Sequence, residues 1–430
     1  MILLLFFLFL LPTFVSADTI VSGAILFDTT WSPSGGVYII DSNFSVSSGV
    51  ILTIEPGTII KARTTAMGGP SIYGTLLAHG TEELPIYFTS YWDDSVGGDT
   101  DGSGPSISGP REWQGLYFKA GSMGELDHVV VRYSGYGGYG FGNNIGIEND
   151  DGVLNIKNSK IYDNGVTGIR NIRGVLSVSD SIIEHQASGI SIESGTSTIV
   201  HNIIRNHFGP SFGASGEGTL TLTDNEFSGN WSTGSVEISK PFIHSGNTSS
   251  DFNNKGFVRV GRARDGMVLE STDLPILVLG GITVEAGKTM TIAPGTILKF
   301  GGYPWFGSID VHGTLIARGT AEDKIYFTSI KDDAVGGDTN GDGDATAPAP
   351  RDWNAFFLGL GSRVELEHSV VRYSGYNYNG EYLPGVAAAI YNRGADLSIE
   401  KSFLGQNWGA SIFQDAGTTN ISQSELADSG

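Results

Sequence analysis

Gly152-Val153-Leu154-Asn155-Ile156 returns 22 residues later as Gly174-Val175-Leu176-Ser177-Val178. Ile161 and Ile183 match at the same offset, and Ile169 matches Ile190 at 21. Two periods further on comes Thr219-Leu220-Thr221-Leu222-Thr223. Alternating apolar residues make short strands with one buried face. A strand of about five residues cannot bury that face alone, but stacking each period on the next provides a partner above and below. A period near 22 without helical patterning therefore predicts an all-β parallel β-helix solenoid. A β-sandwich with regular hairpins is the alternative, but it has no reason to keep a fixed period.

The short period sits inside a long one. Asp93-Asp94-Ser95-Val96-Gly97-Gly98-Asp99-Thr100 recurs 239 residues on as Asp332-Asp333-Ala334-Val335-Gly336-Gly337-Asp338-Thr339. Leu126-Asp127-His128-Val129-Val130-Val131-Arg132-Tyr133-Ser134-Gly135-Tyr136 recurs 240 residues on as Leu366-Glu367-His368-Ser369-Val370-Val371-Arg372-Tyr373-Ser374-Gly375-Tyr376. Such near-constant spacing marks duplication of a whole module. Module one is expected over 18–254 and module two over 255–430. Each carries Pro-Gly coils, an Asp/Gly-rich insertion, a Trp coil (Trp113, Trp353) and a Tyr-rich loop. Ser188-Gly189-Ile190-Ser191-Ile192 of module one has no copy in module two, so module two is expected to be truncated.

Several of these motifs resemble secreted bacterial proteins with right-handed parallel β-helix repeats, the pectate-lyase-like β-helix superfamily. The resemblance rests on Leu52-Thr53-Ile54-Glu55-Pro56-Gly57-Thr58-Ile59-Ile60-Lys61 and its copy Met290-Thr291-Ile292-Ala293-Pro294-Gly295-Thr296-Ile297-Leu298-Lys299. Gly74-Thr75-Leu76 with Gly313-Thr314-Leu315, and Ile86-Tyr87-Phe88-Thr89-Ser90 with Ile325-Tyr326-Phe327-Thr328-Ser329, add to it. It covers most of the chain after the leader. It implies the right-handed coil and not a reaction, because such motifs specify the fold.

Composition agrees with an all-β chain rich in turns: 62 glycines and only 17% charged residues among 430. At 40% hydrophobic the chain can build a core rather than remain disordered. A formal charge of −21 argues against nucleic acid and anionic lipid as partners. It suits divalent cations, or simply a secreted protein kept apart by self-repulsion. Residues 1–17 read as a secretory signal, with an apolar run from Ile2 to Leu11 and small residues at Val15-Ser16-Ala17. No later stretch is expected to span a membrane. The expected location is secreted or on the cell surface. The absence of cysteine excludes disulfides, thiolate catalysis and Cys-ligated zinc.

Three constellations carry chemistry. The first is Asp338-Thr339-Asn340-Gly341-Asp342-Gly343-Asp344, which satisfies the first six positions of the D-x-[DN]-x-[DN]-G calcium loop. Its twelfth position is Ala349 rather than Glu, so Asp332, Asp333 or Asp352 would have to substitute. Module one offers Asp93, Asp94, Asp99 and Asp101, with Ser103 at the third ligand position, and should bind calcium more weakly. A solvated Asp/Gly turn is the alternative. Bound calcium would pin an insertion that has no evident core of its own.

The second constellation is aromatic: Tyr133, Tyr136, Tyr139 and Phe141 in one Gly-rich stretch, and Tyr373, Tyr376, Tyr378 and Tyr382 in its copy. Such rings can stack on sugars or cover coil ends. Trp113 and Trp353 are expected to be buried anchors below the insertions.

The third pairs His128 with Arg132, and His368 with Arg372, beside Asp127 and Glu367. Residues i and i+4 of a strand share a face, and an Arg beside calcium would suit a polysaccharide lyase. A structural His and an acid-paired Arg is the plainer reading, because two copies of one enzyme site in one solenoid are unusual. Asp93-Asp94 and Asp332-Asp333 are similar to the paired aspartates of β-helix polygalacturonases, but the accompanying Gly-His-Gly and Arg-x-Lys elements are absent. The sequence leaves catalysis undecided. It favours a calcium-stabilised binder of extracellular polysaccharide or another cell-surface component, or a stalk. A lyase or glycoside hydrolase is the alternative.

Overall fold

The structure is a computed structural model that describes residues 17–63, 69–136, 144–237, 239–301, 307–376 and 386–427. Among the described residues nearly all regular structure is parallel β-strand. One sheet has 24 strands and two others have 9 and 10. Among the described residues the one helical element is a single turn at Pro33–Gly35. Among the described residues no helix is long and apolar enough to cross a membrane.

Each repeat of about 22 residues lays down three short strands. In one repeat these are Ile145–Asn149, Val153–Lys157 and Lys160–Tyr162. The next supplies Thr167–Asn171, Val175–Ser179 and Ile182–Glu184. Every strand pairs in parallel with its equivalent one repeat away, as Leu154 with Leu176 and Ile161 with Ile183. In Val153–Lys157 the side chains of Leu154 and Ile156 are buried while Val153, Asn155 and Lys157 are exposed. Alternation in sequence thus becomes an inner and an outer face. The arrangement is compatible with a β-helix solenoid.

Corner chemistry fixes the register. Asp151, Asn158, Asp163 and Asp180 have left-handed φ between 50° and 69°, a region that Asn and Asp tolerate better than other side chains. Buried amides line the corners and bond from repeat to repeat. Asn149 donates to Asn171 (3.0 Å), Asn202 to Asn225 (3.0 Å) and Asn225 to Asn247 (3.0 Å). These bonds satisfy polar groups that would otherwise be costly to bury.

The 24-strand sheet runs from Thr19–Ile25 to Glu425–Leu426 and includes both sequence copies. The 9-strand sheet ends at Phe242–Ser245, and the 10-strand sheet includes Gly261–Arg262. The core divides at the same place. One apolar cluster contains Trp31 through Phe257, and a second contains Ala263 through Leu404.

Candidate functional site

Each Asp/Gly insertion leaves the large sheet after a strand of the same sequence, Ile86–Ser90 or Ile325–Ser329, and rejoins the repeats at Leu116–Phe118 or Phe356–Leu358. The two insertions are held from below in the same way. Trp113 and Trp353 are buried and donate their indole N–H to the carbonyls of Arg132 and Arg372, both at 2.8 Å. Lys61 Nζ donates to Gly98 O (2.7 Å) and Thr100 Oγ1 (2.5 Å), and Lys299 Nζ donates to Gly337 O (2.5 Å). Burial lowers the Lys299 ammonium to about 8 despite the nearby Asp333, Asp332 and Asp338 charges.

The first aspartate of each Asp-Asp pair turns inward. Asp93 accepts from Thr89 (2.5 Å) and from Arg132 Nε (2.8 Å), and Arg132 Nη2 lies 2.6 Å from it. Asp332 accepts from Thr328 and from Arg372 Nε (2.7 Å) and is also paired with Arg372 Nη2. Asp93 and Asp332 are therefore committed to arginine. Asp352 is engaged by Ser329 (2.7 Å) and Lys331 (2.8 Å).

The second aspartate turns outward and joins the loop. One carboxylate oxygen each of Asp94, Asp99 and Asp101 lie within 4.8 Å of one another, and so do those of Asp333, Asp338 and Asp342. In the second loop Asp338 accepts the Gly341 and Gly343 amides at 2.8 and 3.1 Å, and Lys255 Nζ at 3.0 Å. Gly341, at φ 75°, sits so close to the neighbouring repeat that a Cβ would meet Phe252 O at 1.8 Å. Only glycine fits there.

Asp333 Oδ1, Asn340 Oδ1 and Asp342 Oδ1 are buried and lack a hydrogen-bond partner among the described residues. Burial, then the charges of Asp338, Asp342 and Asp344, raises the Asp333 carboxyl, with Lys299 opposing. Burial would also raise Asp338, but donation from Lys255, Gly343 and Gly341 brings it below the usual range. Asp344 is exposed and lies outside the converging group. The first loop is more self-satisfied. Asp99 accepts from Gly102 (2.7 Å) and Gly104 (3.0 Å), Asp101 from Ser103 (2.9 Å), and Asp94 from Ser106 (2.7 Å). Among the described aspartates of that loop, Asp94 Oδ1 alone is buried without a partner. The oxygens that remain are hard donors of the kind calcium takes.

The tyrosines are divided. Tyr133 is partly buried and packs edge-on to Tyr162 at 6.5 Å, and Arg132 lies over it at 5.0 Å. Arg372 lies over Tyr373 at 5.3 Å. Tyr136 is exposed, and Tyr376 lies beneath Arg351. Tyr139 and Tyr378, with Phe141 and Tyr382, lie outside the described residues.

His128 and Arg132 do not share a strand face. His128 (φ 51°) occupies the corner between Met123–Asp127 and Val129–Arg132, with Nδ1 2.9 Å from Asp127. His368 (φ 46°) holds the same corner in the second copy. The corner breaks the i, i+4 relation that a continuous strand would give.

Sequence reading expected an acid-paired Arg but not that Asp93 and Asp332 are the acids, and it missed Lys61 and Lys299 beneath the loops. Their signal was available, since Lys61, Asp93 and Arg132 all recur at offsets of 238 to 240 as Lys299, Asp332 and Arg372, but nothing local links Asp93 to Arg132. The chain matches no protein-family model, no curated protein and no solved structure.

Proposed function

We propose that this chain is an extracellular right-handed parallel β-helix of two tandem modules that binds glycan and takes calcium in its Asp/Gly insertions. The observation that carries the reading is the convergence of Asp333, Asp338 and Asp342, with buried oxygens of Asp333, Asn340 and Asp342 left without partners. Like charges held this close repel, and a divalent cation relieves that repulsion while supplying the missing partners. Calcium would be held by Asp333, Asp338, Asn340 and Asp342 in the second module, and more weakly by Asp94, Asp99 and Asp101 in the first. Its role is to pin the insertion, and Lys61 and Lys299 anchor the loop backbone from the other side.

Binding is favoured over lyase or hydrolase chemistry because the arginines best suited to an acidic sugar are already occupied. Arg132 is buried and spends its N–H groups on Asp93, Ser95 and Tyr162. The test is retention of the protein in polysaccharide-containing gels, alongside reducing-end release from the same polysaccharides, with excess calcium and with chelator. Retention without release is expected. Calcium-dependent release would replace this reading with the lyase.

A further inference from the structure

Three consecutive repeats each expose one large aromatic residue at the same corner. Phe208, Trp231 and Phe252 are 85%, 58% and 64% exposed. They precede the strands Pro210–Ala214, Ser232–Val236 and Asn253–Val258, which pair in that order. Each follows a buried rung of one corner ladder: His207, Asn230 and Asp251. The His207 amide donates to Asn230 Oδ1 and the Asn230 amide to Asp251 Oδ1, both at 3.0 Å. The ladder therefore sets the three residues one repeat apart along the corner, on backbones at the roughly 4.8 Å spacing of parallel strands. The preceding repeats carry only Gly165 and Ala187 at this place, after Asn164 and Gln186.

The strip ends against the second insertion. Lys255 donates its amide to Thr339 O (2.9 Å) and its ammonium to Asp338 (3.0 Å), and Gly341 abuts Phe252 O. Large aromatic residues left in water on successive repeats mark an interaction surface.

We infer that Phe208, Trp231 and Phe252 form the docking strip for a single strand of uncharged polysaccharide. This deepens the glycan-binding reading and rests on it. The shape selects the occupant. Three rings at these exposures offer on the order of 400 Å², about half of what each partner contributes to a stable protein interface, roughly 800 Å². The strip is one residue wide, and Asn206, Ser228 and Ser250 lie within three residues of the rings as hydrogen-bonding neighbours. A sugar chain has that form: apolar ring faces in a row, with hydroxyls at the edges. The chain's charge of −21 disfavours a polyanionic strand.

The experiment is affinity electrophoresis of the full-length secreted chain in gels containing neutral or acidic polysaccharides, with tryptophan fluorescence titration of any binder. The variants are Trp231→Ala, the triple Phe208→Ala/Trp231→Ala/Phe252→Ala, and Tyr136→Ala/Tyr376→Ala, each checked for an unchanged denaturation midpoint. The expected result is retardation by a neutral polysaccharide, about tenfold weaker in Trp231→Ala, lost in the triple variant and kept in the tyrosine variant. Wild-type affinity in the triple variant would overturn the strip. If the tyrosine variant alone loses binding, the strip fails while the glycan reading stands. No retardation of wild type by any polysaccharide would sink both. A wild-type dimer that Trp231→Ala converts to monomer would make the strip a protein interface and overturn the inference.

Discussion

Arg132 and Arg372 occupy the same place in two copies of one sequence pattern, yet their surroundings have diverged. Both keep the Asp and Thr partners on the neighbouring repeat. Arg132 also donates to Ser95 and Tyr162, both at 2.5 Å. The second copy has Ala334 and Gly405 at those positions. The Arg372 side chain is accordingly 18% exposed against 9% for Arg132. The loops diverge the other way. The second places Asn340 and Asp342 where the first has Asp101 and Ser103, and it leaves more oxygens unpartnered. What both copies retain is the Trp, Lys and Arg–Asp support. What varies is the rim. The duplicated arginine thus belongs to the scaffold, while the rim differs between the copies.

The largest effect should come from the arginines. Arg132→Met leaves Asp93 buried without its cation and should cost about 3–5 kcal/mol. Arg372→Met should cost roughly half that, because its site is wetter and less connected. Denaturant midpoints of the two variants test this, and equal losses would erase the difference between the copies.

The next effect is an acid limb specific to the first copy. Burial lowers His207 to about 4, whereas the unfolded chain protonates near the ordinary 6.5. Between those values the unfolded state binds the extra proton. The contribution is therefore complete above pH 6.5 and falls away as pH drops toward 4, by about 3 kcal/mol in all. His207→Asn, which puts the residue of the next rung (Asn230) in its place, should flatten that limb. An unchanged stability profile between pH 6.5 and 4 would show that the histidine does not set it.

Much of the fold was legible in the sequence because its signal is local and repeated. Leu154, Ile156, Leu176 and Val178 alternate visibly and do face the core. The insertions and their Trp anchors were legible from the 239-residue offset. Corners were harder to read. A left-handed residue such as His128 looks like part of a strand until its φ is known. Within the acidic stretches, sequence alone does not say that Asp332 turns toward Arg372 while Asp333 turns toward the loop. That choice depends on a partner 40 residues away. The exposed aromatic residues were harder to group for a related reason: Phe208, Trp231 and Phe252 fall at irregular offsets of 23 and 21, and only the buried ladder beside them shows that they share a corner.

The central claim is calcium in the insertions, tighter in the second than in the first. Calorimetric titration of calcium into the metal-free protein tests it most directly, with Asp338→Asn/Asp342→Asn and Asp99→Asn/Asp101→Asn as the paired variants. The account predicts two classes of site. The tighter is removed by the Asp338/Asp342 changes and the weaker by the Asp99/Asp101 changes. Calcium at a hundred times the dissociation constant of the tighter site should add about 2.7 kcal/mol of stability. Titration without heat or stabilisation, or binding that survives both pairs of substitutions, would contradict it.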